Sequence, residues 1–230
     1  MKMARKGLAA AAAAALALSV TGLGAASAAP APLRMVVLGD SLAVGTGASD
    51  PANGFAFRVY RSIARERPGS EVTNRAIGGS RASDVKRLQV ATLDPRATDL
   101  VLVVAGGNDV VRKTPAGTFA RDYDALLAAI RRRVPRAVVV VCGVPDVARS
   151  PLFADTAAKT EALARADDAA VRAAAARDGD AFVDLFVFTR RAGTNAEFFS
   201  QDDFHPSDAG YAKLASATLP VVERALRRGR

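Results

Sequence analysis

The chain has 230 residues, half of them hydrophobic and about a quarter charged, with a formal charge of +9. Those proportions exclude a disordered or fibrous chain and suit one globular domain with a sizeable core. Cys142 is the only cysteine and His205 the only histidine, which excludes an internal disulfide and the usual zinc sets.

In chain order, Met1 to Lys6 is positive, Leu8 to Val20 is apolar, and Ala26-Ser27-Ala28 offers small residues. This is the layout of an export signal. It predicts a signal peptide over 1–28, cleavage after Ala28, and a domain over 29–230 of formal charge +6 that lies outside the cell. The apolar run is short of the ~20 residues a membrane span needs, so no stable membrane insertion is expected once the leader is gone. An uncleaved anchor is the alternative, since no charge falls between Lys6 and Arg34.

Met35 to Leu38, stopped by Gly39, reads as a buried strand. Phe55, Val59 and Ile63 recur every four residues, as one face of a helix would. Glu71 to Ile77 is a weaker strand, ended by Gly78 and Gly79, and Ser83 to Val90 a short helix. Leu100 to Ala105 is a clear strand, again followed by glycines. Phe119, Tyr123, Leu126, Leu127 and Ile130 mark an amphipathic helix stopped by Pro135. Arg131, Arg132 and Arg133 fall at its end, where cations complement the carbonyl dipole; they read as a helix terminus and not as an anion site. No aromatics interleave with basic residues as in a nucleic-acid binder. Ala137 to Cys142 is a strand with Cys142 as a small buried hydrophobe. Thr160 to Asp178 is helical, Phe182 to Phe186 the fifth strand, and Ser207 opens a last helix broken or kinked at Pro220.

Apolar strands alternating with helices imply a parallel sheet covered on both faces, an α/β three-layer sandwich of flavodoxin-like type. Ligands of such sheets bind beyond the carboxyl ends of the strands. There the chain carries Gly39-Asp40-Ser41-Leu42, Gly78-Gly79-Ser80 and Gly106-Gly107-Asn108-Asp109. Three glycine-bearing turns converge on one crevice.

Ester hydrolysis needs a nucleophile, a base, a group that orients the base, and donors for the oxyanion. His205 sits in Asp202-Asp203-Phe204-His205-Pro206, where a carboxylate three residues back can turn to its Nδ1. Ser41 follows a strand and a glycine; read alone it is an ordinary N-cap serine. Gly78-Gly79-Ser80-Arg81-Ala82 approaches a G-x-S-x-G elbow, but Ala82 replaces the last glycine, and a helix-opening position accounts for Ser80. Asp109 and Asp184 at strand ends read as structural acceptors.

Together, Gly39-Asp40-Ser41-Leu42, the glycine of Asn74-Arg75-Ala76-Ile77-Gly78-Gly79, Gly107-Asn108-Asp109 and Asp202-x-x-His205 resemble the four blocks of the SGNH hydrolases, or GDSL esterases and lipases, in order and at plausible spacing. The resemblance implies Ser41 as nucleophile, His205 as base and Asp202 as its partner, with Asp203 the competitor for that place. It further implies oxyanion donors at Ser41, Gly79 and Asn108, no cofactor or metal, and a small-molecule, lipid or glycan ester as substrate. The expected activity is a carboxylic ester hydrolase, with glycan O-deacetylation as the alternative and a silent binding module behind it. Val144 to Phe153, especially Leu152 and Phe153, is the first candidate for substrate contact, and the stretch with Phe198 and Phe199 the second.

Overall fold

Valine is stiff about χ1 and fits a pleated surface better than a helix, and the valine-rich runs become strands. In the computed structural model, which describes residues 30–228, β1 is Arg34–Gly39, β2 Glu71–Asn74, β3 Leu100–Val104, β4 Val138–Cys142 and β5 Ala181–Val183. All pairings are parallel, in the order β2-β1-β3-β4-β5. The expected five-stranded parallel sheet is present. The leader and its cleavage at Ala28 lie outside the described residues.

The helices are α1 Ser41–Val44, α2 Phe55–Glu66, α3 Ala82–Asp84, α4 Gly107–Val111, α5 Ala116–Arg133, α6 Ala157–Asp178, α7 Leu185–Ala192 and α8 Asp208–Arg228. Successive strand residues point to opposite faces, and the core divides accordingly. Val36, Leu38, Val101, Val103, Val139 and Val141 pack with α5 and α6. Met35, Val37, Leu100, Leu102, Val140 and Cys142 pack with α2 and α8. Both faces are buried, which is why these strands read as unbroken apolar runs.

Four expectations are corrected. β2 stops at Asn74 instead of reaching Ile77, although the Arg75 and Ile77 N–H groups still donate to the Val37 and Gly39 carbonyls at 2.8 and 3.0 Å. Ser83 to Val90 is not one helix: α3 passes into a π-turn over Val85–Gln89 and a 3-10 turn over Val90–Thr92. β5 ends at Val183, and Leu185 and Phe186 already belong to α7. There the Asp184 carboxylate accepts the Val187 N–H at 2.9 Å and caps the helix; a four-residue apolar run does not distinguish strand from buried helix. Finally, α8 is not broken at Pro220 but continues through it.

Register sets the geometry of the site. Gly39 lies opposite Val104, Val104 opposite Cys142, and Cys142 opposite Val183. β1, β3, β4 and β5 therefore end level, while β2 stops opposite Val37, and the turns leaving them open on one edge. Among the described residues no helix is long and apolar enough to cross a membrane.

Behind that edge, Asp167 of α6 is only 2 % exposed. Burial, reinforced by the charge of Asp109, pushes its carboxyl from the ordinary 3.8 up to about 7. A raised carboxyl means that the folded state holds a proton the unfolded state has released. Stability is therefore lost as pH rises from about 4 toward 7 and stays lost above. Asp167→Asn removes that ionisation. Thermal melts should show it more stable than the parent by about 1–2 kcal/mol, or roughly 3–6 °C, at pH 8, with a smaller gain at pH 5 and little difference near pH 3.5.

Candidate active site

Asp40 follows the last residue of β1 and is 4 % exposed. Its carboxylate accepts the Leu42 N–H at 3.0 Å and caps α1. Asp40 therefore takes the N-cap position that Ser41 alone suggested. Ser41 moves to the first helical residue, where the backbone N–H has no partner within the helix, and its hydroxyl is free for a distant residue. Burial pushes the Asp40 carboxyl up to about 7, against the bonds from the Leu42 N–H and Asn108. Because α1 is a single turn, its summed dipole adds little at Ser41; the local N–H matters more.

The distant residue is His205, whose Nε2 lies 2.8 Å from Ser41 Oγ. His205 stands in a hairpin closed by the Ser200 N–H to His205 carbonyl bond and by an antiparallel bridge from Phe199 to Pro206. Inside it, Asp202 Oδ1 accepts the Ser200 hydroxyl at 2.7 Å and the N–H groups of Phe204 and His205 at 3.0 and 2.8 Å. Its Oδ2 faces His205 Nδ1 at 2.5 Å. Partial burial would raise the Asp202 carboxyl, but the bonds from His205, Ser200 and the two amides outweigh it and hold it well below the usual carboxylate range. Asp202 thus stays ionised, and its charge keeps the Nδ1 proton in place so that Nε2 accepts from Ser41. Asp203 is not the partner. It adopts a left-handed backbone (φ 55°) and gives its carbonyl to the Ser150 hydroxyl at 2.6 Å.

Gly47 makes this approach possible. It has φ +92°, and a Cβ there would stand 2.8 Å from His205 Cβ and 2.9 Å from the Pro206 carbonyl oxygen. No side chain fits without displacing the histidine loop.

The next turn runs from Ile77 to Ser80, closed by the Ser80 N–H to Ile77 carbonyl bond, with Gly79 in its third place at φ +77°, the place that asks for glycine. It lies against Ser41: a Cβ on Gly78 would be 3.9 Å from Ser41 Cβ. Asn108, in the first turn of α4, sends Nδ2 to the Ser80 carbonyl at 3.2 Å and to Asp40 Oδ2 at 3.4 Å. Both bonds are long, so a substrate oxygen could compete for this donor. Asp109 is the structural acceptor expected, taking the Ala82 N–H at 2.9 Å. Ser80 does not open a helix: it is buried, one residue before the position that caps α3.

A cleft of about 110 Å³ opens at Ser41, Asn108 and His205 and runs toward β4, α7 and α8. Its walls include Val147, Phe188, Ala192, Phe198, Phe199 and Leu214. Leu152 and Phe153 do not line it. Leu152 is 62 % exposed, and Phe153 packs its edge against Phe204, beside His205. Phe198 and Phe199, the second candidates, are in the wall. Phe188 and Ala192 escape a reading of the sequence because the residues before them look like a strand. Arg149 stiffens this wall, pairing with Asp146 and Glu161, and Asp146 donates its N–H to the Thr189 hydroxyl at 2.8 Å. Cys142 is wholly buried and burial pushes its thiol up, so it is not a second nucleophile.

The sequence profile of the GDSL-like Lipase/Acylhydrolase family matches residues 37–213. A comparison with curated protein sequences gives no significant match. Among solved structures, the chain resembles TesA (21 % identity, TM-score 0.69, covering 84 % of this chain and 99 % of that one). It also resembles phospholipase A1 from Streptomyces albidoflavus NA297 (24 %, TM-score 0.64, 85 % and 100 %) and an acetylxylan esterase from Geobacillus stearothermophilus (18 %, TM-score 0.64, 84 % and 95 %). Identities this low speak to the fold, while the profile spans most of the chain and its described site: the protein belongs to the GDSL-like lipase/acylhydrolase family.

Proposed function

We propose that the protein is an exported serine esterase that cleaves carboxylic esters through an acyl-enzyme on Ser41. The observation that carries this is the chain of contacts from Ser41 Oγ to His205 Nε2 and from His205 Nδ1 to Asp202. Ser41 Oγ attacks the acyl carbonyl and His205 Nε2 takes its proton. The N–H groups of Ser41 and Gly79 and the Nδ2 of Asn108 hold the oxyanion. The protonated imidazole then gives its proton to the leaving alcohol, and water repeats the sequence to release the acid.

The apolar walls favour an acyl chain in the cleft over the acetyl group alone of a glycan deacetylase. A dry cavity of about 150 Å³ admits benzene, so one of about 110 Å³ holds roughly four carbons. Rates on nitrophenyl esters should peak near butyrate to hexanoate. Ala192→Phe should fill the cleft and lower kcat/KM on hexanoate at least tenfold while sparing acetate. A peak at acetate, with activity on acetylated xylan above that on any nitrophenyl ester, would favour the deacetylase.

Ser41→Ala should abolish turnover, and parent-level rates in that variant would sink the proposal. Asn108→Ala should cost about a hundredfold in kcat, roughly 3 kcal/mol of barrier. Gly47→Ala should lower kcat at least tenfold, by moving His205 off Ser41, with folding retained in circular dichroism. Export should leave a mature chain beginning at Ala29, which N-terminal sequencing of protein secreted by an expression host checks.

A further inference from the structure

Gln89 is a long polar side chain that is 1 % exposed, and neither the nucleophile nor the donor set uses it. Its amide makes a two-point clamp on Gly39. Gln89 Oε1 accepts the Gly39 N–H at 2.8 Å, and Nε2 donates to the Gly39 carbonyl at 2.8 Å. A longer contact of 3.4 Å joins Nε2 to Ser80 Oγ.

The sheet explains why a side chain is needed there. β1 lies between β2 and β3, and β2 stays in register only to Asn74, opposite Val37. Beyond it the chain turns away to carry Gly79, returning two bonds, from the Arg75 N–H to the Val37 carbonyl at 2.8 Å and from the Ile77 N–H to the Gly39 carbonyl at 3.0 Å, but offering no acceptor to the Gly39 N–H. The Gly39 N–H would be left buried without its ladder partner, which is costly. On its other side Gly39 packs so closely that no side chain fits, since a Cβ there would stand 2.0 Å from the Val104 carbonyl oxygen. Gln89 takes the place of the missing strand. It reaches inward from the end of the π-turn over Val85–Gln89, and such turns recur at functional sites. Gly39 is two residues from Ser41, Ser80 is next to Gly79, and the Ser80 carbonyl accepts from Asn108 Nδ2. One amide therefore ties together the segments bearing all three donors.

We infer that Gln89 is a positioning residue of this active site, holding the Ser41, Gly79 and Asn108 donors at the spacing that the oxyanion requires. It acts through Gly39 and Ser80 and touches no substrate. The inference rests on the reading of Ser41 as nucleophile.

Gln89→Met keeps length and volume and removes every hydrogen bond; Gln89→Glu keeps an acceptor for the Gly39 N–H and loses the donor. Ile130→Ala, in α5 and remote from the crevice, supplies a destabilised control. The measurements are melting temperature, kcat and KM on nitrophenyl butyrate, and inhibition by a trifluoromethyl ketone, whose adduct with a serine carries an oxyanion. Gln89→Met should lose at least tenfold in kcat with KM within threefold, and ketone affinity should fall by a similar factor. Gln89→Glu should lose in the same sense, and decides the matter if the Met variant does not fold. Ile130→Ala should melt lower yet keep kcat and ketone affinity. A kcat within twofold of the parent in a folded Gln89 variant, or an equal loss in Ile130→Ala, overturns the inference. Ser41→Ala separates the two failures: turnover surviving in it refutes the esterase mechanism, whereas an inactive Ser41→Ala beside a fully active Gln89→Met refutes only the clamp.

Discussion

Everything at the site depends on the level ending of parallel strands. Parallel hydrogen bonding fixes Gly39 against Val104 and Val104 against Cys142, and from that edge the backbone has no further sheet partners. Each turn must find others. Asp40 answers for the amide of Leu42, Asp109 for that of Ala82, Asp202 for those of Phe204 and His205, and Gln89 for that of Gly39. The same side chains that satisfy orphaned backbone also fix the reactive groups. Structural and catalytic demands are met by one set of bonds.

This arrangement concentrates carboxyl groups behind the crevice. Asp40, Asp109, Asp146, Asp167 and Asp168 are all nearly buried, and burial raises each. Asp202 differs. It sits at the rim, collects four hydrogen bonds and is held low. The contrast follows from solvation and donors, since a carboxylate accepting several N–H and O–H groups favours its charge while a desolvated one resists it. The rim carboxylate is therefore the one best able to hold a positive imidazole, while among the buried ones Asp40 caps α1 and Asp109 takes the Ala82 N–H.

Much of this was legible in the residues alone. Buried strands advertise themselves as valine runs because both faces are covered, and level strand ends follow from the parallel pattern; Ser41, His205 and Asp202 could be named on those grounds with the family resemblance. Three things were hidden. α7 was disguised because Leu185 and Phe186 are apolar in either state, and what decides is the cap from Asp184. The identity of the N-cap at α1 was ambiguous because Asp40 and Ser41 are both good caps; the Leu42 N–H bond to Asp40 and the His205 contact of Ser41 separate them. Gln89 carried no signal at all, since a glutamine in a helical pattern is ordinarily solvated.

The cleft was placed only in part: Val147, within the expected Val144 to Phe153, and Phe198 and Phe199 line it, whereas Leu152 and Phe153 do not. Leu152 and Phe153 are the conspicuous apolar residues after β4, yet the chain there is a 3-10 turn over Pro151–Thr156 that turns Leu152 outward and leaves Phe153 to support Phe204. The cavity is instead walled by elements far apart in sequence: Val147 after β4, Phe188 and Ala192 on α7, Leu214 on α8. Periodicity within one segment cannot report such a surface, because it exists only where three elements meet. A site's reactive atoms obey local rules of strand ends and caps and can be read early. Its selectivity is set by how distant helices close against one another, and that is where the structure adds most.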